Sequence, residues 1–155
     1  MHIDPINHLT ASSFMAYKEQ KKNIMKLTVP FYLHKVGAGF PSPATDYIED
    51  DIDLNSQLIT NAPATFIIRV QGKSMTNVGI YDGDLLIIDK SIDPRNFSTV
   101  VANINEELVV KTLIKEKGVS YITSGSKNIL DKINLIENPE IIIWGVVTYV
   151  IHKQQ

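Results

Sequence analysis

The chain has 155 residues, no cysteine and a formal net charge of −2. That length suits one domain with an appendage, and the missing cysteine excludes disulfides, thiolate metal sites and cysteine nucleophiles. The charge balance gives no overall basic footprint for nucleic acid, and no run approaches the roughly 18 apolar residues a membrane span requires. With no apolar secretory core at the N-terminus either, the sequence predicts a soluble, cytoplasmic protein. Charge is unevenly divided: residues 1–38 hold five lysines and two acidic residues, net +3, and the remainder holds ten basic and fifteen acidic residues, net −5. An arm could lie on such a body by complementarity, or it could be a solvated basic tail.

Residues 1–28 show neither helical nor strand periodicity strongly. A helix over 11–27 lacks a clear apolar face, which predicts a flexible or partner-dependent arm. Met1, Met15 and Met25 are all possible starts. Val29 to Leu33 reads as extended and leads into Val36-Gly37-Ala38-Gly39-Phe40-Pro41-Ser42-Pro43-Ala44, where glycine and proline oppose regular structure. The small side chains at 37–39 would let this backbone enter a narrow cleft; an ordinary hinge is the plainer alternative. The acidic run Asp46, Glu49, Asp50, Asp51 and Asp53 predicts a solvated helix start rather than a metal site. Ile52, Leu54, Leu58 and Ile59 supply a short amphipathic face.

From Thr65 the chain becomes β-rich, with strands expected at 65–71, 84–89, 98–104, 107–115, 118–124 and 141–151. Asn105-Glu106 and Glu116-Lys117-Gly118 read as hairpin turns. Short strands in succession predict a mainly β, compact barrel or sandwich.

Within that β region, Ser74 follows a strand and a glycine, and the loop returns through Asp82-Gly83-Asp84. Such a serine is a plausible nucleophile, although many only cap turns. Its candidate base is Lys111, in the apolar strand Glu107 to Ile114. Period-two alternation puts Val109, Lys111 and Leu113 on one face, with Leu108, Val110, Thr112 and Ile114 on the other. A lysine acts as a base only after losing its proton, and apolar burial disfavours the ammonium form. An edge-strand lysine reaching water is the alternative. Lys73 adjoins Ser74 in sequence, so in an extended segment it points away from the hydroxyl. Ser124-Gly125-Ser126-Lys127 matches an S-x-x-K pattern but lacks its companion motifs, and is read as coincidence. The histidines (2, 8, 34 and 152) lie outside core strands and lack metal spacing. No metal or cofactor is expected, and a Ser-Lys dyad is the remaining catalytic pair.

Gly72-Lys73-Ser74-Met75, Gly79-Ile80, Asp82-Gly83-Asp84-Leu85-Leu86, Val110-Lys111-Thr112-Leu113 and Trp144-Gly145-Val146-Val147 together resemble the LexA/UmuD (S24) family of self-cleaving Ser-Lys peptidases. Phe40 to Ala44 and Ile52-Asp53-Leu54-Asn55 resemble its UmuD-like branch. The resemblance covers about residues 36–151. It implies a β-barrel-like peptidase domain over 39–155 and an arm, 1–38, removed by cleavage at Ala38-Gly39. Ser74 would be the nucleophile and Lys111 the general base, with Gly72, Lys73 and Met75 as oxyanion or support residues. It further implies RecA–single-stranded-DNA stimulation, a homodimer, and association with a UmuC-type polymerase subunit in SOS mutagenesis. A LexA- or phage-repressor-like regulator is the alternative. Residues 1–38 lack two well-patterned helices for a DNA-binding domain, so direct sequence-specific DNA binding is not expected. The family pattern is departed from at Lys73, where an acidic residue is frequent, and at Ala38, where some members carry cysteine.

Overall fold

The computed structural model describes residues 28–32, 48–125 and 131–154. The possible helix over 11–27, the Gly-Pro linker with Ala38-Gly39, and Ser126-Lys127 lie outside the described residues. The chain divides into two compact units, residues 1–57 and 58–155.

In the first unit β1 (Thr28–Tyr32) pairs antiparallel with β2 (Ile48–Asp53), and the register slips between Pro30 and Tyr32. Proline has no amide to donate to a ladder, so a slip beside it is expected. The extended reading at 29–33 is met by β1, whereas the acidic run is corrected. Asp46 lies outside the described residues, and Glu49 to Asp53 belong to a strand whose backbone pairs with β1, with the helix α1 confined to Leu54–Leu58. Asp53 alone sits at the helix start. One carboxylate oxygen accepts the Asn55 amide at 3.1 Å and the other accepts the Ser56 hydroxyl at 2.7 Å, a capping role suited to a short acidic side chain.

The second unit carries β3 (Thr65–Arg69), β4 (Leu85–Asp89), β5 (Thr99–Ile104), β6 (Glu107–Glu116), β7 (Val119–Thr123), β8 (Ile133–Asn134) and β9 (Ile142–Ile151). They form one seven-stranded antiparallel sheet in the order β3-β4-β9-β5-β6-β7-β8. The class is mainly β, as the strand patterning predicts; β8 is too short to have left a pattern. Two-residue turns join β5 to β6 and β6 to β7. Asn105 and Glu106 have φ of 51° and 67°, and Lys117 and Gly118 have 49° and 81°, the conformation that matches strand twist in a tight hairpin.

β5 lies in the middle of the sheet, and its run Val100-Val101-Ala102 is fully buried. Alternation divides that run between two apolar clusters. Val101 joins Val70, Met75, Ile80, Leu86 and Ile88, while Val100 and Ala102 join Leu113, Ile122 and Val146. Each buried Val, Leu, Ile or Met side chain among them contributes roughly 1.5–3 kcal/mol by leaving water. On β9, Gly145 is required by close packing. A Cβ there would sit 2.6 Å from Ile88 Cγ2 and 3.3 Å from the Asp89 carbonyl oxygen. Gly145→Ala should therefore cost about 1–3 kcal/mol through overpacking, read as a lower urea midpoint with an unchanged slope.

Asp84 closes the turn that enters β4. Buried to 2 % exposure, it accepts the Tyr81 amide at 2.8 Å through one oxygen and meets His152 Nδ1 at 2.6 Å through the other. The Tyr81 amide does most to hold its carboxyl below the ordinary value of 3.8; burial opposes this, and His152 reinforces it. A depressed carboxyl contributes stability above its unfolded pKa and loses it as pH falls through the folded value. Thermal melts should therefore show the protein weakening as pH drops below about 4. Asp84→Asn should melt lower at neutral pH and lose part of that acid dependence.

Candidate active site

Ser74 sits in the connection from β3 to β4, a segment fixed at both ends. The ladder of β3 and β4 continues into it: the Val70 amide donates to the Asp84 carbonyl at 2.8 Å, and Gly83 donates back to Val70 at 2.9 Å. The Gly72 amide donates to the Asp82 carboxylate at 2.7 Å, with Gly72 at φ 102°, a left-handed conformation that costs glycine little. Next comes a 3-10 turn over Thr76–Val78 ending at Gly79 with φ 80°. Met75 and Ile80 are buried in the first apolar cluster, and the Ile80 amide donates to the Met75 carbonyl at 3.2 Å. The loop is thus nailed down by Met75 and Ile80, while Lys73 and Ser74 remain exposed.

Lys111 lies midway along β6 opposite Val100 of β5, on the face that Val109 and Leu113 share. The face assignment made from period-two alternation is the one observed. Lys111 is half-buried, between the two environments the sequence leaves open. Ser74 and Lys111 line one cleft of about 180 Å³, together with Arg69, Gly72, Met75 and Val109 among others. Lys111 Nζ also donates to Ser124 Oγ at 2.6 Å.

The remaining expected site residues fall into place differently. The Gly72 amide is committed to Asp82, which suits support rather than oxyanion binding. Lys73 supplies its carbonyl to the Thr76 amide and hydroxyl, at 3.4 Å and 3.1 Å. Met75 contributes a buried anchor. Ala38 and Gly39 lie outside the described residues. Ser124 was set aside in the sequence because its S-x-x-K match lacked companions; its contact with Lys111 arises from strand pairing, independently of that pattern.

A second serine and lysine, Ser98 and Lys115, line another cavity, but they are engaged elsewhere. The Lys115 ammonium donates to the Pro94 carbonyl at 2.8 Å and the Ser98 hydroxyl accepts the Arg95 amide at 2.9 Å. Among the described residues no group of three or more His, Asp or Glu is placed to hold a metal ion, and no helix is long and apolar enough to cross a membrane. The arrangement that remains is an exposed hydroxyl on a rigid loop and a half-buried amine in the same cleft, the parts needed for nucleophilic acyl transfer.

Comparison with known proteins agrees with that chemistry. The Peptidase S24-like family model matches residues 30–148. Protein ImpA of Salmonella typhimurium is 39% identical over 125 residues, covering 80% of this chain and 83% of that protein. Protein MucA of Escherichia coli is 36% identical over 133 residues, covering 79% and 83%. The LexA repressor of Glaesserella parasuis serovar 5 is 39% identical over only 88 residues, covering 57% of this chain and 42% of the repressor. Similarity to the repressor is thus partial, whereas ImpA and MucA align along most of their length. The chain belongs to the S24-like family of self-cleaving serine peptidases, within its UmuD-like group of SOS-mutagenesis proteins.

Proposed function

We propose that this chain cleaves its own Ala38–Gly39 bond with Ser74 as nucleophile and Lys111 as general base. The observation that carries the proposal is the lining of one cleft by both side chains. In sequence, Ala38–Gly39 lies in the connection between β1 and β2, where small side chains permit close approach of a backbone. Neutral Lys111 takes the Ser74 proton as the hydroxyl oxygen attacks the Ala38 carbonyl carbon. Amides at and beside Ser74 receive the developing oxyanion. Collapse breaks the Ala38–Gly39 C–N bond, Lys111 returns the proton to the Gly39 amine, and water then hydrolyses the Ser74 ester.

On this reading the products are an arm, residues 1–38, and a body, residues 39–155. A RecA–single-stranded-DNA filament stimulates the cut in the cytoplasm, and the trimmed homodimer joins a UmuC-type translesion polymerase subunit. Kinship with ImpA and MucA supports this setting, and the partial match to LexA makes a DNA-binding regulator the weaker reading.

Incubating the full chain with activated RecA, or at alkaline pH without it, should release a fragment whose mass begins at Gly39. Ser74→Ala and Lys111→Ala should each slow that release by at least about 10³-fold. Parent-like cleavage in either variant, or a fragment beginning elsewhere, would sink the assignment.

A further inference from the structure

We infer that Ser124 is the positioning residue for the Lys111 amine. The inference rests on the proposed Ser74–Lys111 dyad and adds to it the group that aims the base.

Four observations carry it. Lys111 Nζ donates to Ser124 Oγ at 2.6 Å, and both residues are half-buried. The contact follows from the sheet: β6 and β7 pair Thr112 with Thr123 and Leu113 with Ile122. One further step in that register sets Ser124 across from Lys111, on the same face and at the spacing where cross-strand side chains meet. Ser124 also stands where the chain leaves β7, and the residue after it packs on the nucleophile loop. A Cβ on Gly125 would lie 3.1 Å from Val78 Cγ1 and 3.5 Å from Met75 Sδ. Finally, Arg69 is the other charged side chain lining the cleft, and its guanidinium donates to the Gly83 carbonyl at 3.0 Å. It is occupied elsewhere, and a cation offers Lys111 no acceptor.

The chemistry gives Ser124 a defined task. A lysine side chain has four rotatable bonds and, unrestrained, spreads its nitrogen over many positions. An amine that donates one N–H to a fixed acceptor keeps its lone pair in a restricted set of directions, and proton abstraction demands that one of them meet the Ser74 hydroxyl. Misplacement of a catalytic group by about 1 Å can cost on the order of 10²-fold in rate. Removing the contact should therefore slow the reaction, and an acceptor restored at the same place should restore the rate.

Self-cleavage of the full chain, followed by mass spectrometry across alkaline pH without RecA, tests this. Ser124→Ala should lower the plateau rate about 10- to 100-fold, while Ser124→Thr, which retains a hydroxyl, should stay near the parent. Should the alanine variant fail to fold, the nearly isosteric and weakly accepting Ser124→Cys carries the same prediction. A parent-like plateau in the folded Ala or Cys variant would overturn the inference. So would an equal rate loss in Ser124→Thr, which marks a role in packing and not in accepting the amine. Ser74→Ala run alongside separates the two claims: if it cleaves normally the dyad itself fails, and if it is inert while Ser124→Ala is parent-like, only the role of Ser124 fails.

Discussion

The ladders on either side of β6 hold Lys111 at one height in the sheet. Val100, a fully buried residue of the central strand, stands opposite it on one side, and the β6–β7 register carries Ser124 to it on the other. A side-chain period of two means that a slip of one residue would turn the amine to the opposite face. The apolar clusters resist that slip, since it would also carry Leu113 out of its cluster with Val100, Ala102, Ile122 and Val146. The placement of the proposed base and the packing of the core are therefore secured by the same pairing.

The proposed nucleophile, Ser74, is held by different means. Its loop is irregular, and its shape comes from local ties: Asp82 on the Gly72 amide, the 3-10 turn over Thr76–Val78, and the burial of Met75 and Ile80. Ser74 is exposed because its successor is not. Pinning the residue beside a reactive group leaves that group accessible while limiting its freedom, and the loss of backbone entropy is offset by apolar burial at Met75. The two constructions touch where Gly125 packs against Val78 and Met75.

Much of this was legible in the sequence because sheet-forming residues announce themselves by period. The six longer strands of the main sheet, the turns at Asn105-Glu106 and Lys117-Gly118, and the shared face of Val109, Lys111 and Leu113 all follow from alternation and turn chemistry. The acidic run was misread because composition near Ile52 suits a helix, whereas pairing with β1, a non-local contact, makes Ile48–Asp53 a strand. The Asp84–His152 contact spans 68 positions in the chain, and nothing local to either residue points to the other. Ser124 is a different case. A two-residue turn at 117–118 sets Glu116 opposite Val119, and counting back along both strands brings Lys111 to Ser124. The signal was present in the turn, but the serine was judged by its motif and not by its register.

That turn has a consequence for how the protein tolerates change. Lys117 and Gly118 lie exposed at a hairpin tip, the kind of site where insertions usually cost little stability. Here the tip sets the phase of one strand against the next, like the indexing pin of a ratchet. A single residue added at 117–118 could be absorbed by sliding β7 and leave a folded sheet in which Lys111, the proposed base, has lost its contact with Ser124. Length variation at this distant, solvent-facing corner would thus be read out in the chemistry before it is read out in stability.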